Sequence, residues 1–182
     1  MRMGNALSKI TAALLAVLLL FLFPAWQVAQ RQEDLRYLAA YRALVQFTDA
    51  VRNKGFVTPT MYEEFVRELE TTGGGYDVEL EHRHKAYHPE YDDPADPTTF
   101  LNDFTVVYDA YYTSDILQVM FPAGTGQKGA PYELQEGDFF AVTALDRSRS
   151  PYDILAEFLY PGAGETYPSL LTYGGMVLNE DY

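Results

Sequence analysis

Cysteine is absent from the 182 residues of this chain. That absence excludes a disulfide scaffold, a Cys-ligated zinc or iron–sulfur site, a thiol nucleophile and an anchor built on a lipidated cysteine. Basic residues are scarce: 13 Lys and Arg stand against 26 Asp and Glu, for a net charge of −13. Nucleic acid is therefore not an expected partner, because binding it requires a basic footprint that displaces counterions. What remains is 48% hydrophobic and rich in aromatics, with 15 Tyr and 11 Phe. Such a chain is too apolar to be disordered and long enough for one ordinary domain.

Charge is missing altogether from the 17 residues Ile10 to Trp26, where Thr11 carries the only hydroxyl. With Val28 and Ala29 the stretch is long enough to cross about 30 Å of hydrocarbon at about 1.5 Å per helical residue. It has no polar face at helical spacing, and a buried core helix rarely reaches this length. A cleaved signal peptide needs small residues three and one before the cut. Ala29 is preceded two positions earlier by Gln27, and Ala25 by Phe23, so an uncleaved anchor is favoured. Arg2, Lys9 and the free amine precede the run, while Arg31 and Arg36 follow it among Glu33 and Asp34. The Lys and Arg bias predicts a single pass through the cell membrane, amino end cytoplasmic and carboxyl end extracytoplasmic.

Glycine and proline are missing between Ala25 and Lys54, and good helix formers fill that stretch. The anchor is thus expected to continue as one long amphipathic helix that ends near Gly55. Its apolar stripe, Val28, Leu35, Leu38, Val45 and Val51, must pack on the following domain or on a neighbouring chain. Pro24 is a candidate kink. The expected organisation is a cytoplasmic basic end (1–9), a transmembrane helix (10–29), a helical stalk (30–54) and an extracytoplasmic head (55–182).

The head reads as α+β with an antiparallel sheet and two or three short helices. Thr58-Pro59 opens a helix closed by Gly73-Gly74-Gly75, with Thr60 and Glu63 as an alternative capping box. Tyr76 to Glu81 alternates as a half-buried strand. Residues 86–103 carry turn chemistry and read as a long loop, and Phe104, Val107, Tyr108 and Tyr111 then recur at helical spacing, although their β-branched and aromatic content leaves a strand open. Ser114-Asp115 starts a short helix. Tyr132–Leu134 and Asp138–Leu145 read as two strands turning at Glu136-Gly137. Ser150-Pro151 starts a helix with Ile154, Leu155, Phe158 and Leu159 inward. A loop over 161–168 precedes a last strand, 170–178, with a bulge or turn at Gly174-Gly175.

Few constellations suggest chemistry. His82 and His84 share one strand face and could hold zinc, completed by His88 with Asp92 or Asp93. The loop acids Glu90, Asp92, Asp93 and Asp96 could hold calcium, although they lack the order of an EF-hand loop. The simpler reading pairs the histidines with carboxylates and leaves the loop solvated, with no cofactor. Gly124-Thr125-Gly126-Gln127-Lys128-Gly129 matches a dinucleotide fingerprint in letters only, because Ala130-Pro131 and a strand follow instead of a helix. No serine sits in a nucleophile elbow. The chain is read as non-enzymatic.

In layout, residues 1–53 resemble the pilin-like proteins of type IV and Tad-type pilus systems. Phe47 to Gly55, then Tyr62, Leu69 and Gly73, look like the opening of TadE-like pseudopilins of Gram-positive bacteria. Gly137-Asp138 and Tyr173-Gly174-Gly175-Met176-Val177 look similar too. Pilins carry a glutamate five residues after the cleaved glycine, whereas Lys9 stands five after Gly4. The resemblance therefore implies an assembly or minor component more readily than a major pilin. Its implied partners are the bilayer, other apparatus subunits or a second copy met through the stalk. The alternative is an anchored binding module for a wall polymer or cation. Residues 1–85 hold ten basic and ten acidic side chains, and 86–182 hold three against sixteen, so the acidity lies in the carboxyl half of the head.

Overall fold

The computed structural model describes residues 3–124, 128–159 and 169–180. One helix, α1 (Met3–Lys54), runs without interruption through the apolar segment and the stalk, with Pro24 inside it. It is the one described helix long and apolar enough to cross a membrane, and its most apolar stretch is wholly unburied. Gly55 closes it with φ +72°, donating its N–H to the Val51 carbonyl at 2.9 Å. After β1 (Phe56–Val57) comes α2 (Pro59–Thr71), whose cap is Thr58: its hydroxyl accepts from the Met61 N–H at 3.1 Å. The Thr60–Glu63 start is not used.

The main sheet is antiparallel, in the order β3-β2-β5-β6, from β2 (Tyr76–Tyr91), β3 (Phe100–Tyr112), β5 (Phe139–Asp146) and β6 (Leu170–Met176). A second pair joins β1 to β4 (Tyr132–Glu133). Two further helices, α3 (Thr113–Met120) and α4 (Pro151–Leu159), bring the described short helices to three. Even-numbered residues of β2 and β5 face inward in register: Val78 lies opposite Ala144, Leu80 opposite Val142 and His82 opposite Phe140. The carboxyl half of α1 covers this face, burying Leu44, Phe47 and Val51 against Phe140, Val142, Leu171 and Val177. Phe47 stacks on Phe65 of α2 at 4.3 Å between ring centroids.

Several expectations are corrected. Residues 86–91 and 100–103 are strand, and only 92–99 form the connection, with a single 3₁₀ turn at Pro97–Thr99. The segment around Phe104 to Tyr111 is strand, because its β-branched and aromatic residues find a pleated partner in β2. Pro89 is accommodated because β2 has lost β5 there and is an edge strand; the register slips between Pro89 and Tyr91. The turn at Gly137, φ +89°, is real, but β4 leaves to pair with β1 instead of forming a hairpin with β5. Gly174 and Gly175 make no bulge. They pair regularly with Ala141 and Phe140, and a Cβ at either would lie 2.6 Å from Ala141 or Arg52. Ile154 and Phe158 of α4 do not point inward; both are exposed. The loop expected over 161–168 lies outside the described residues, as do Thr125, Gly126 and Gln127.

Candidate functional site: a histidine–aspartate hub, an uncovered stalk and a projecting ribbon

Period-two alternation puts His82 on the core face of β2, in phase with Val78 and Leu80. A polar group there must be hydrogen-bonded. Asp138, just ahead of β5 and in phase with Phe140 and Val142, meets that demand. His82 Nε2 lies 2.8 Å from Asp138 Oδ2, and His84 Nδ1 lies 2.9 Å from Oδ1. The Lys85 N–H donates to Oδ1 at 3.0 Å, and the Gln135 N–H to Oδ2 at 2.8 Å. Each carboxylate oxygen thus accepts two hydrogen bonds. The other nitrogen of His82 is 2.7 Å from the Tyr132 hydroxyl, and Tyr111 stacks on the ring at 5.5 Å. The network assigns the proton of His82 to Nε2, with Tyr132 donating to Nδ1.

The electrostatics fit a structural hub. Burial lowers the pKa of His82, and the hydrogen bond and charge of Asp138 do not fully offset it. Burial works to raise Asp138, yet the N–H groups of Lys85 and Gln135, with His82, hold it below the ordinary carboxylate value. Burial pushes Tyr132 up to about 12, so it is a hydrogen-bond donor and not a base. His82, His84 and Asp138 also offer three ligand atoms within 4.8 Å of one another, a set zinc can use. For a cation to enter, His82 would have to lose its Nε2 proton and Asp138 some of its four donors.

The other sequence candidates lie elsewhere. His88 is exposed and four residues beyond His84, roughly 13 Å along the strand. Asp93 accepts from the Ala95 N–H at 2.9 Å, and Asp96 from the Thr98 N–H at 2.9 Å, so these carboxylates shape the 92–99 turn. Thr105 donates to Glu90 across the ribbon. Asp92, also in this exposed turn, donates its N–H to the Thr99 carbonyl at 3.1 Å. Asp138 and Tyr132 were not among the candidates, although Asp138 shares its phase with the apolar side chains of β5, and that phase was the available signal.

No protein-family model matches the chain, and no curated protein or solved structure is similar to it. Its surfaces therefore carry the functional argument. The stalk stripe divides in two. Val51 is buried under the sheet and Val45 is half-buried, so Val51 cannot meet another chain, whereas Val28, Leu35 and Leu38 are 54, 66 and 59% exposed. Beyond Arg83, β2 keeps only β3 as a paired neighbour, and β3 is exposed along its whole length. This two-stranded ribbon displays Tyr87, Phe104, Tyr108 and Leu101 to solvent.

Proposed function

We propose that the chain is a single-pass, membrane-anchored structural or assembly component of a pilus-like or secretion apparatus, acting without catalysis through protein–protein contacts. The observation that carries this reading is the continuity of α1, which is at once the apolar segment and the spine of the head. A head built around its own anchor helix cannot swing freely on it, so its surfaces keep a fixed position relative to that helix. Beside Arg36 and Ala40, which the head covers, that helix leaves Leu35 and Leu38 uncovered, at the spacing of a helix-packing stripe. In this reading the amino end is cytoplasmic, the head extracytoplasmic, and the partners are other apparatus subunits or a second copy. The pilin-like layout and the TadE-like segments supply the class, in a Gram-positive setting.

The test is photo-crosslinking in cells. A photoreactive residue at Leu35 or Leu38 is expected to trap a neighbouring subunit, while one at buried Val51 traps none. Crosslinks to no protein from either stalk position would overturn the reading. A second reading, an anchored module binding a wall polymer or cation, draws on the aromatic ribbon, since exposed rings are common stacking platforms. Heat released when the full chain is titrated with wall fragments or calcium, and lost on replacing Tyr87 and Tyr108 by alanine, would favour it.

A further inference from the structure

Among the described residues none covers the apolar face of α4, and the position of that face says what does. Ile154 and Phe158, one helical turn apart, are 59 and 73% exposed. They form one wall of an open apolar groove whose other wall is Pro24, Ala25, Val28 and Ala29 of α1. Those four residues close the apolar segment. A span beginning at Ile10 and covering about 30 Å at about 1.5 Å per residue reaches its far boundary near Ala29. The groove is therefore at the depth of the far lipid leaflet. Two aromatic rings mark the same level: Trp26, the only tryptophan, packs on Tyr152 at the start of α4 with ring centroids 4.8 Å apart. Trp and Tyr favour this boundary because they have an apolar body and a polar tip.

Charge is arranged to match. Of the three basic residues after position 85, two, Arg147 and Arg149, stand immediately before α4. The acids of α4 both have partners at its amino end. Asp153 accepts from the Ser150 N–H and hydroxyl at 2.9 Å, and Glu157 lies 3.4 Å from Arg149. We infer that α4 is a second membrane-contacting element, an interfacial helix that lays Ile154 and Phe158 among the acyl chains beside the outer turns of α1. Its partner is the lipid bilayer itself. The head is then held at two points, by α1 through the membrane and by α4 upon it, which fixes its tilt and the height at which Leu35 and Leu38 are offered.

This inference rests on α1 crossing the bilayer, and the experiment separates the two. Because the chain has no cysteine, single cysteines at Phe158, Ile154, Leu19 and Tyr108 can each carry an environment-sensitive fluorophore. The full-length variants are reconstituted in vesicles of phosphatidylcholine and phosphatidylglycerol. Labels at Phe158 and Ile154 are expected to be quenched by spin-labelled lipid and protected several-fold from aqueous iodide relative to Tyr108 on the ribbon. Lipid quenching at Leu19, with Phe158 and Ile154 as open to iodide as Tyr108, would overturn the interfacial helix alone. Loss of lipid quenching at Leu19 would overturn both it and the anchor. Two reporting positions on α4 guard against one substitution disturbing its packing.

Discussion

The guanidinium of Arg36, on the stalk, donates to the carboxylate of Asp146 at the end of β5, 110 residues away in the chain. The same Arg36 reaches the Ser148 hydroxyl at 2.8 Å, and both members of the pair are largely buried. Burial alone would lower the arginine's pKa. The hydrogen bond and charge of Asp146 outweigh it and raise it. This ion pair ties the stalk to one end of β5, as Asp138 ties β2 to the other.

Removing one partner of such a pair leaves an uncompensated charge. Arg36→Ala is expected to cost about 3 kcal/mol, and Asp146→Asn a similar amount. Denaturant unfolding of the full chain in detergent measures both. A change under about 0.5 kcal/mol would show that the stalk is held by apolar packing alone.

The His82–Asp138 hub is expected to make the head acid-labile. Because burial lowers the folded pKa of His82, the unfolded chain takes up that proton first, near the ordinary value of about 6.5. The His82 contribution is therefore present above that pH and lost as pH falls through the folded value. Asp138, also lowered in the fold, adds stability above about pH 4 that is lost as pH falls through its own folded value. A melting midpoint that declines in these two windows, with the upper one absent in His82→Phe, is the expected profile.

Zinc should add little. The four hydrogen bonds to Asp138 are made by the protein itself. A stoichiometric zinc titration is expected to leave the melting midpoint unchanged. A rise abolished by His84→Ala would instead establish a metal centre.

Gly55 and Gly73 test backbone against packing. Both adopt positive φ, but a Cβ at Gly55 would sit 2.6 Å from the Asn179 side chain, whereas one at Gly73 meets nothing within 4 Å. Gly73→Ala should cost about 1 kcal/mol from backbone strain alone. Gly55→Ala should cost more, and Asn179→Ala should recover part of the difference.

The ribbon should be separable from the core. Replacing residues 86–107 by a two-residue Asn-Gly turn joins Lys85 to Tyr108, which already face each other across the ladder. Because β3 is exposed throughout, the shortened chain is expected to melt within a few degrees of the original. A larger loss would assign the ribbon a structural role.

Local physics was legible in the residues. Seventeen uncharged positions followed by a stretch free of glycine and proline fix a long helix, because hydrogen bonding within a helix needs no distant partner. The Thr58 cap and the alternation over Tyr76 to Glu81 are equally local. What the tertiary structure decided is everything that depends on a partner far along the chain. Whether Phe104 to Tyr111 is strand or helix turned on β2 being available to pair. Which carboxylate His82 meets turned on Asp138, 56 residues away. The stripe on α1 was readable as apolar, but only packing against β5 and β6 divided it into buried Val51 and uncovered Leu35. The same holds for α4, where the sequence supplied an apolar face and the fold turned it toward the end of the anchor. An apolar side chain specifies that it must leave water, and not what it must leave water for.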